Sequence, residues 1–196
     1  MAVETPAYEV LEQDGSFELR RYRAYLTASV RVSAAGYGAA ANAGFNPLAE
    51  YIFGDNRVSG HIAMTAPVSA GRASGQKIAM TAPVTAARSD DDYVVSFTMP
   101  SGYAMEDLPR PNSPSVILEQ VGPRVVAAVR FSGYMNDGSA AKAQAGLEAW
   151  MDDQGLIPAG GPVSAQYDAP WKPWFARRNE ILIPVEDDTV DGGIRP

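Results

Sequence analysis

The 196-residue chain has no cysteine and a single histidine, His61. Without thiols it forms no disulfide, thiolate zinc site or cysteine-ligated iron-sulfur cluster, and it has no cysteine nucleophile. One imidazole builds neither a two-histidine metal site nor, away from residue 61, a serine-histidine catalytic pair. No structural metal is expected. Basic charge is scarce too: 16 Lys and Arg against 23 Asp and Glu leave a formal charge of −7. Phosphate-backbone binding relies on a cationic face, so nucleic acid is not an expected partner. No run approaches the roughly 18 apolar residues of a membrane span. Residues 1–6 also lack the basic-then-apolar order of a secretory signal, and the expected compartment is the cytoplasm.

What the chain does have is a sizeable apolar fraction, 46%. That supports one core and a single domain over residues 1–185, with 186–196 as an acidic, Gly-rich tail expected to be mobile. It also writes one heptad twice, Ile62-Ala63-Met64-Thr65-Ala66-Pro67-Val68 and Ile78-Ala79-Met80-Thr81-Ala82-Pro83-Val84, sixteen positions apart. Identical heptads place their side chains alike only on like backbones, so two extended, neighbouring antiparallel segments are expected. Each ends near a proline that cannot donate to a ladder. The link from Ser69 to Lys77 holds Gly71, Ser74 and Gly75 and reads as a hairpin loop.

Elsewhere the periods are plain. Tyr8 to Leu11 and Phe17 to Tyr22 flank Asp14-Gly15, a hairpin signal. Leu26, Ala28, Val30 and Val32 alternate with polar residues as in a sheet wet on one side. From Gly36 to Phe53, Tyr37, Ala41, Phe45, Leu48 and Ile52 recur at helical spacing, with Pro47 expected to kink the helix or to mark a start only a few residues before it. Asp90-Asp91-Asp92 reads as a solvated turn, Tyr93 to Met99 as a strand and Ser101 to Ser115 as a surface connection. The second half follows the same plan: strands at Val116 to Val121 and Arg124 to Phe131, a helix from about Ser139 to Gln154, and strands at Val163 to Tyr167 and Asn179 to Val185. The expected fold is α+β, a distorted, mostly antiparallel β-barrel or sheet with two α-helices, built from a duplicated ββαββ unit about a pseudo-twofold axis.

Four features could carry chemistry. Met64 and Met80 hold the same place in the twin heptads; core filling is the ordinary use of Met, and a wall of a ligand pocket is the other. Thr65 and Thr81 read as strand residues, since no general base has an evident place beside them. His61 is the one imidazole available to a metal or haem. The loop from Asp168 to Arg178 packs Trp171, Trp174 and Phe175 among Lys172, Arg177 and Arg178. Flat rings beside cations either cap a core edge or suit a flat apolar molecule bearing carboxylates, and a porphyrin has that shape.

Several motifs together resemble the SOUL haem-binding protein family. They are the twin heptads, Glu4-Thr5-Pro6, Tyr8-Glu9-Val10, Glu18-Leu19-Arg20-Arg21-Tyr22, Tyr51-Ile52-Phe53-Gly54, Tyr167-Asp168-Ala169-Pro170 and Arg178-Asn179-Glu180-Ile181, in the family's order from about residue 4 to 185. The resemblance implies a distorted β-barrel with two helices, similar to effector-binding regulator domains, and binding of haem or a related tetrapyrrole. Some members of the family carry a proposed axial histidine where this chain has Arg21. Others meet haem propionates with basic residues on the first helix, where this chain has Asn42 and Glu50 and neither Lys nor Arg.

On that footing the expected function is to carry, buffer or sense haem or another tetrapyrrole in a hydrophobic pocket. Phe45, Leu48, Ile52, Met64, Met80, Trp171, Trp174 and Phe175 would supply apolar contacts, Lys172, Arg177 or Arg178 would meet propionates, and His61 is the candidate axial ligand. The alternatives are an enzyme acting on a tetrapyrrole or other hydrophobic small molecule through a carboxylate of raised pKa, Glu50 or Glu180, or an effector-binding module in a protein assembly.

Overall fold

The computed structural model describes residues 3–58, 75–169 and 171–187. A two-residue loop closes the first hairpin, β1 (Tyr8–Asp14) and β2 (Phe17–Tyr22). Gly15 takes a φ of +58° there, the left-handed conformation that tight hairpins ask of glycine. After β3 (Tyr25–Ser33) comes α1 (Tyr37–Phe53), which runs through Pro47 and therefore begins ten residues before it. Gly44 is why α1 can lie close to the sheet. A Cβ built at Gly44 would fall 2.5 Å from the Cβ of Val95.

The remaining elements are β4 (Asn56–Arg57), β5 (Val84–Ser89), β6 (Asp92–Thr98), β7 (Arg110–Pro111), β8 (Ile117–Val121), β9 (Arg124–Phe131), α2 (Asp137–Gln154), β10 (Val163–Gln166) and β11 (Asn179–Val185). α2 starts two residues before the expected Ser139 because Asn136 caps it: its side chain accepts from Ser139 N at 2.9 Å while Ser139 Oγ accepts from Asn136 N at 3.0 Å. This reciprocal cap satisfies two otherwise orphaned donors. Asn136→Ala is expected to cost about 1 kcal/mol, read as a fall of roughly 2–4 °C in melting temperature.

Nine strands form one curled antiparallel sheet in the order β1-β2-β9-β11-β10-β5-β6-β3-β8, and β4 pairs separately with β7. Leaving out β1, the order reads alike from both ends when β2, β3, β5, β6 are exchanged for β8, β9, β10, β11. The axis of this pseudo-symmetry passes between β10 and β5, and each unit lends its first strand to the other's sheet half. The duplicated ββαββ plan expected from the sequence is thus the plan of the sheet.

Paired residues share a face, so the sheet register sorts the side chains. Ala28, Val30, Ala86, Val95 and Phe97 face α1 in one core. Leu19, Val125, Val129, Ile181 and Ile183 face α2 in a second. Both helices lie on the same side. The opposite face carries Tyr22, Val126, Ala128, Ala165 and Leu182 in a smaller cluster.

One expectation is corrected. The second heptad is not a strand: only its last residue, Val84, enters β5, and the strand itself continues to Ser89, a stretch the sequence pattern had not marked. The reason lies in its hydrogen bonds. Ile78 N donates to Ile52 O and Ala82 N to Glu4 O, neither of them a ladder partner, and Pro83 has no N–H to donate. The first heptad, with Met64 and Thr65, lies outside the described residues, as do His61 and residues 188–196.

Candidate functional site

The central strand pair sets the site. β5 and β10 pair with Val84 opposite Gln166, so the chain entering β5 and the chain leaving β10 emerge from the same end of the sheet. The second heptad therefore meets the aromatic loop. Ala82 shares a hollow of about 260 Å3 with Tyr167, Asp168, Lys172, Ala176 and Arg178, and Val3 and Thr5 close one side. Thr81 is spent on structure, its hydroxyl donating to Thr98 O.

The loop is held from within. The Asp168 carboxylate accepts from Lys172 Nζ and from Arg178 N, each at 2.6 Å. Burial would raise the Asp168 pKa, but the Lys172 ammonium and the Arg178 N–H outweigh it and hold the group below its ordinary value. Trp174–Ala176 form one 3-10 turn, Arg177 Nε donates to Lys172 O at 2.8 Å, and Gly133 N donates to Trp174 O. The Arg177 guanidinium also lies 4.8 Å from the centroid of Tyr134. Locked in this way, the loop turns its rings outward: Trp171 is 87% exposed, Phe175 66% and Trp174 55%.

Beneath the loop lies a buried ionic floor. Arg20 is 1% exposed and Glu180 0%, and they form two hydrogen bonds, Nη1 to Oε2 at 2.7 Å and Nη2 to Oε1 at 3.0 Å. Arg178 Nη2 reaches the same carboxylate at 2.8 Å and the Tyr167 hydroxyl donates to it at 2.7 Å. Tyr8 stacks on Arg20 and Tyr167 on Arg178, at 4.5 and 4.0 Å. Burial alone would push the Glu180 pKa up, yet the bonds and charge of Arg20, with Tyr167 and Arg178, bring it below the ordinary glutamate value. Arg20 and Arg178 are driven the opposite way: burial opposes their charge, and Glu180 more than restores it. Burial lifts the Tyr22 phenol to about 12 and, together with the Glu180 charge, lifts Tyr167 well above the phenol range.

Both carboxylates titrate lower folded than unfolded. The stability they contribute is full above about pH 5 and is lost as pH falls through their folded values. Melting temperature is therefore expected to be flat from pH 8 to about 5 and to fall below that; a rise on acidification would contradict the assignment.

The residues expected from sequence fall into three groups. Trp171, Lys172, Trp174, Phe175, Arg177 and Arg178 sit together on the loop, and Met80, 47% exposed, enters from the heptad at the same end of the sheet. Phe45 is on the outer edge of α1, edge-on to Phe97 at 5.4 Å. Leu48 and Ile52, at 0% and 1% exposure, are sealed in the core beneath α1, and a group with no free surface meets a ligand only if the helix moves. His61 and Met64 lie outside the described residues. Sequence reasoning missed Arg20, Tyr8, Tyr22 and Tyr167. The available signal was the alternation Glu18-Leu19-Arg20-Arg21-Tyr22, which sends Glu18, Arg20 and Tyr22 to one face.

Acid-base chemistry at Glu180 loses its premise, because two guanidiniums lower rather than raise its pKa, and its role is that of the ion-pair partner of Arg178. Glu50 is exposed on α1. Among the described residues no cluster of three or more His, Cys, Asp or Glu could hold a metal ion, and no helix is long and apolar enough to cross a membrane.

Comparison with known proteins agrees with this architecture. A family model described as "SOUL heme-binding protein" matches residues 3–184. Human "Heme-binding protein 2" is 28% identical over 193 residues, 93% of this chain and 86% of that protein. Mouse "Heme-binding protein 2" is 28% identical over 137 residues, 68% of this chain and 62% of that one. Among solved structures, the EcmrR C-terminal domain covers 91% of this chain and 98% of its own with a TM-score of 0.61 and 14% identity. A hydrolase from Listeria innocua gives 0.54 and 11%, covering 90% and 94%. At those identities the structural likeness is one of fold.

Proposed function

The chain belongs to the SOUL heme-binding protein family, and from that premise we propose that it binds haem or a related tetrapyrrole, to carry, buffer or sense it, on the face where the second heptad meets the aromatic loop. Family membership over residues 3–184 is the observation that carries the reading. The character of the face supports the location. Three large aromatic side chains on a loop braced by Asp168 and Arg177 are exposed well beyond what packing requires. Rings held outward in this way lose little further entropy on meeting a flat apolar ligand. Met80 adds a polarizable side chain at the same end of the sheet. Lys172 and Arg177 bring cations to the rim, where propionates would meet them. When bound, haem would supply its own iron chemistry; the chain's part is to stack on the macrocycle and hold its carboxylates. His61 is the proposed axial ligand.

Haemin titration followed by absorbance tests the reading. The wild type is expected to shift the Soret band and saturate at one haem per chain. Loss of both rings in Trp171→Ala/Trp174→Ala is expected to weaken binding by about 2–3 kcal/mol, roughly 30- to 150-fold. His61→Ala is expected to change the spectrum while much of the affinity remains. A free-haemin spectrum at stoichiometric wild-type protein would overturn the proposal.

A further inference from the structure

The helix-free face of the sheet holds a hollow that the haem reading does not use. Tyr22, Tyr25, Val94, Val126, Val163 and Leu182 are among its walls, and its volume is about 190 Å3. A cavity of about 150 Å3 accommodates benzene, so this one has room for a single ring or a short branched chain and none for a porphyrin. It adjoins a wider cleft of about 830 Å3, with Thr5, Pro6, Tyr25 and Thr98 common to both, which gives a ligand a way in.

Its polar equipment is specific. Arg124, the first residue of β9, lines the hollow, and its Nη2 donates to Tyr25 Oη at 2.7 Å. The Arg124 Nε is buried and has no hydrogen-bond partner among the described residues. Arg20 and Arg178 are both paired with Glu180, whereas among the described residues no carboxylate lies within ion-pair distance of Arg124. Since Tyr25 accepts from Arg124, its own hydroxyl hydrogen is left to donate. An arginine with no carboxylate partner among the described residues, beside a phenol O–H and an apolar floor, is the complement of one carboxylate on a small apolar body. The exposed carboxylate of Glu119 also lines the hollow and disfavours a second negative charge.

We propose that this hollow, which borders the heptad-loop face at Pro83 and Tyr167, is a second binding site, for a small aromatic or branched-chain monocarboxylate held by Arg124 and Tyr25. Calorimetric titration of the full chain with benzoate tests it, with benzamide and benzylamine as neutral and cationic counterparts. Benzoate is expected to bind saturably at one per chain, and at least ten-fold more tightly than either counterpart. Arg124→Gln is expected to weaken benzoate ten-fold or more, Tyr25→Phe a few-fold, and Glu119→Gln to tighten it, while haemin titration of Arg124→Gln matches the wild type. Benzamide binding as tightly as benzoate would overturn the site. So would unchanged benzoate affinity in folded Arg124→Gln, or no saturable heat up to about 20 mM benzoate, far beyond any affinity such an anchor implies. Should Arg124→Gln fail to fold, the wild-type comparison of benzoate with benzamide and the Tyr25→Phe titration decide the matter.

Discussion

Glu180→Gln is expected to lower the melting temperature by roughly 6–12 °C, one of the two largest effects expected of single substitutions in this chain. The carboxylate has no exposed surface, and Arg20, 1% exposed, makes two of its bonds to it. A glutamine keeps the shape and removes the charge, leaving the buried Arg20 guanidinium with the part-exposed Glu18 carboxylate, 2.7 Å from its Nε, as its remaining counter-charge. Leaving a buried charge wholly bare typically costs about 3–5 kcal/mol, and the Glu18 pair keeps the loss toward the lower end of that range. Arg178 loses less, since its side chain is 26% exposed and can turn toward solvent. It follows that Arg20→Met/Glu180→Leu is expected to recover part of the loss, because it removes both buried charges together. Thermal unfolding of the single and double variants decides this; a single variant melting within about 2 °C of wild type would mean that the floor does not brace the sheet.

Leu48→Ala is the second large effect expected, about 2–5 kcal/mol by chemical denaturation. Leu48 is fully buried between α1 and the sheet, in a helix drawn close to β6 by Gly44, and its removal leaves a cavity that the helix is poorly placed to close. The loop rings are the contrast. Trp171→Ala removes a side chain 87% exposed and is expected to change stability by no more than about 0.5 kcal/mol while weakening haem binding. Equal stability losses at the two positions would contradict the division into core and ligand face.

Much of this was legible in the sequence, for identifiable reasons. β1, β2, β3 and β9 carry a period of two or a turn signal, and both helices carry a period near four, so each announces itself locally. The second heptad departs from the strand that its pattern suggests. What decides the backbone of the second copy is where its N–H groups go, to Ile52 O and Glu4 O, and those partners are fixed only by the tertiary fold. The loop was legible as a candidate from its composition alone. Its floor was not: Arg20 and Glu180 are 160 residues apart and become partners only when β2 and β11 flank β9. From the sequence, Glu180 offered Arg178 as its nearby partner and nothing pointed to Arg20. The anchor at Arg124 was hidden in the same way, since Tyr25 meets it across 99 residues.

The proposed haem site is best tested by finding where a porphyrin binds. A diamagnetic gallium protoporphyrin titrated into isotope-labelled protein, with amide resonances followed residue by residue, reads that directly. The largest shifts are expected at 78–84 and 167–178, with α2 and, in the hollow, Tyr25, Val94, Arg124 and Val126 undisturbed. Shifts confined to α2 or to the Arg124 hollow, with the heptad and the aromatic loop silent, would contradict the proposed site.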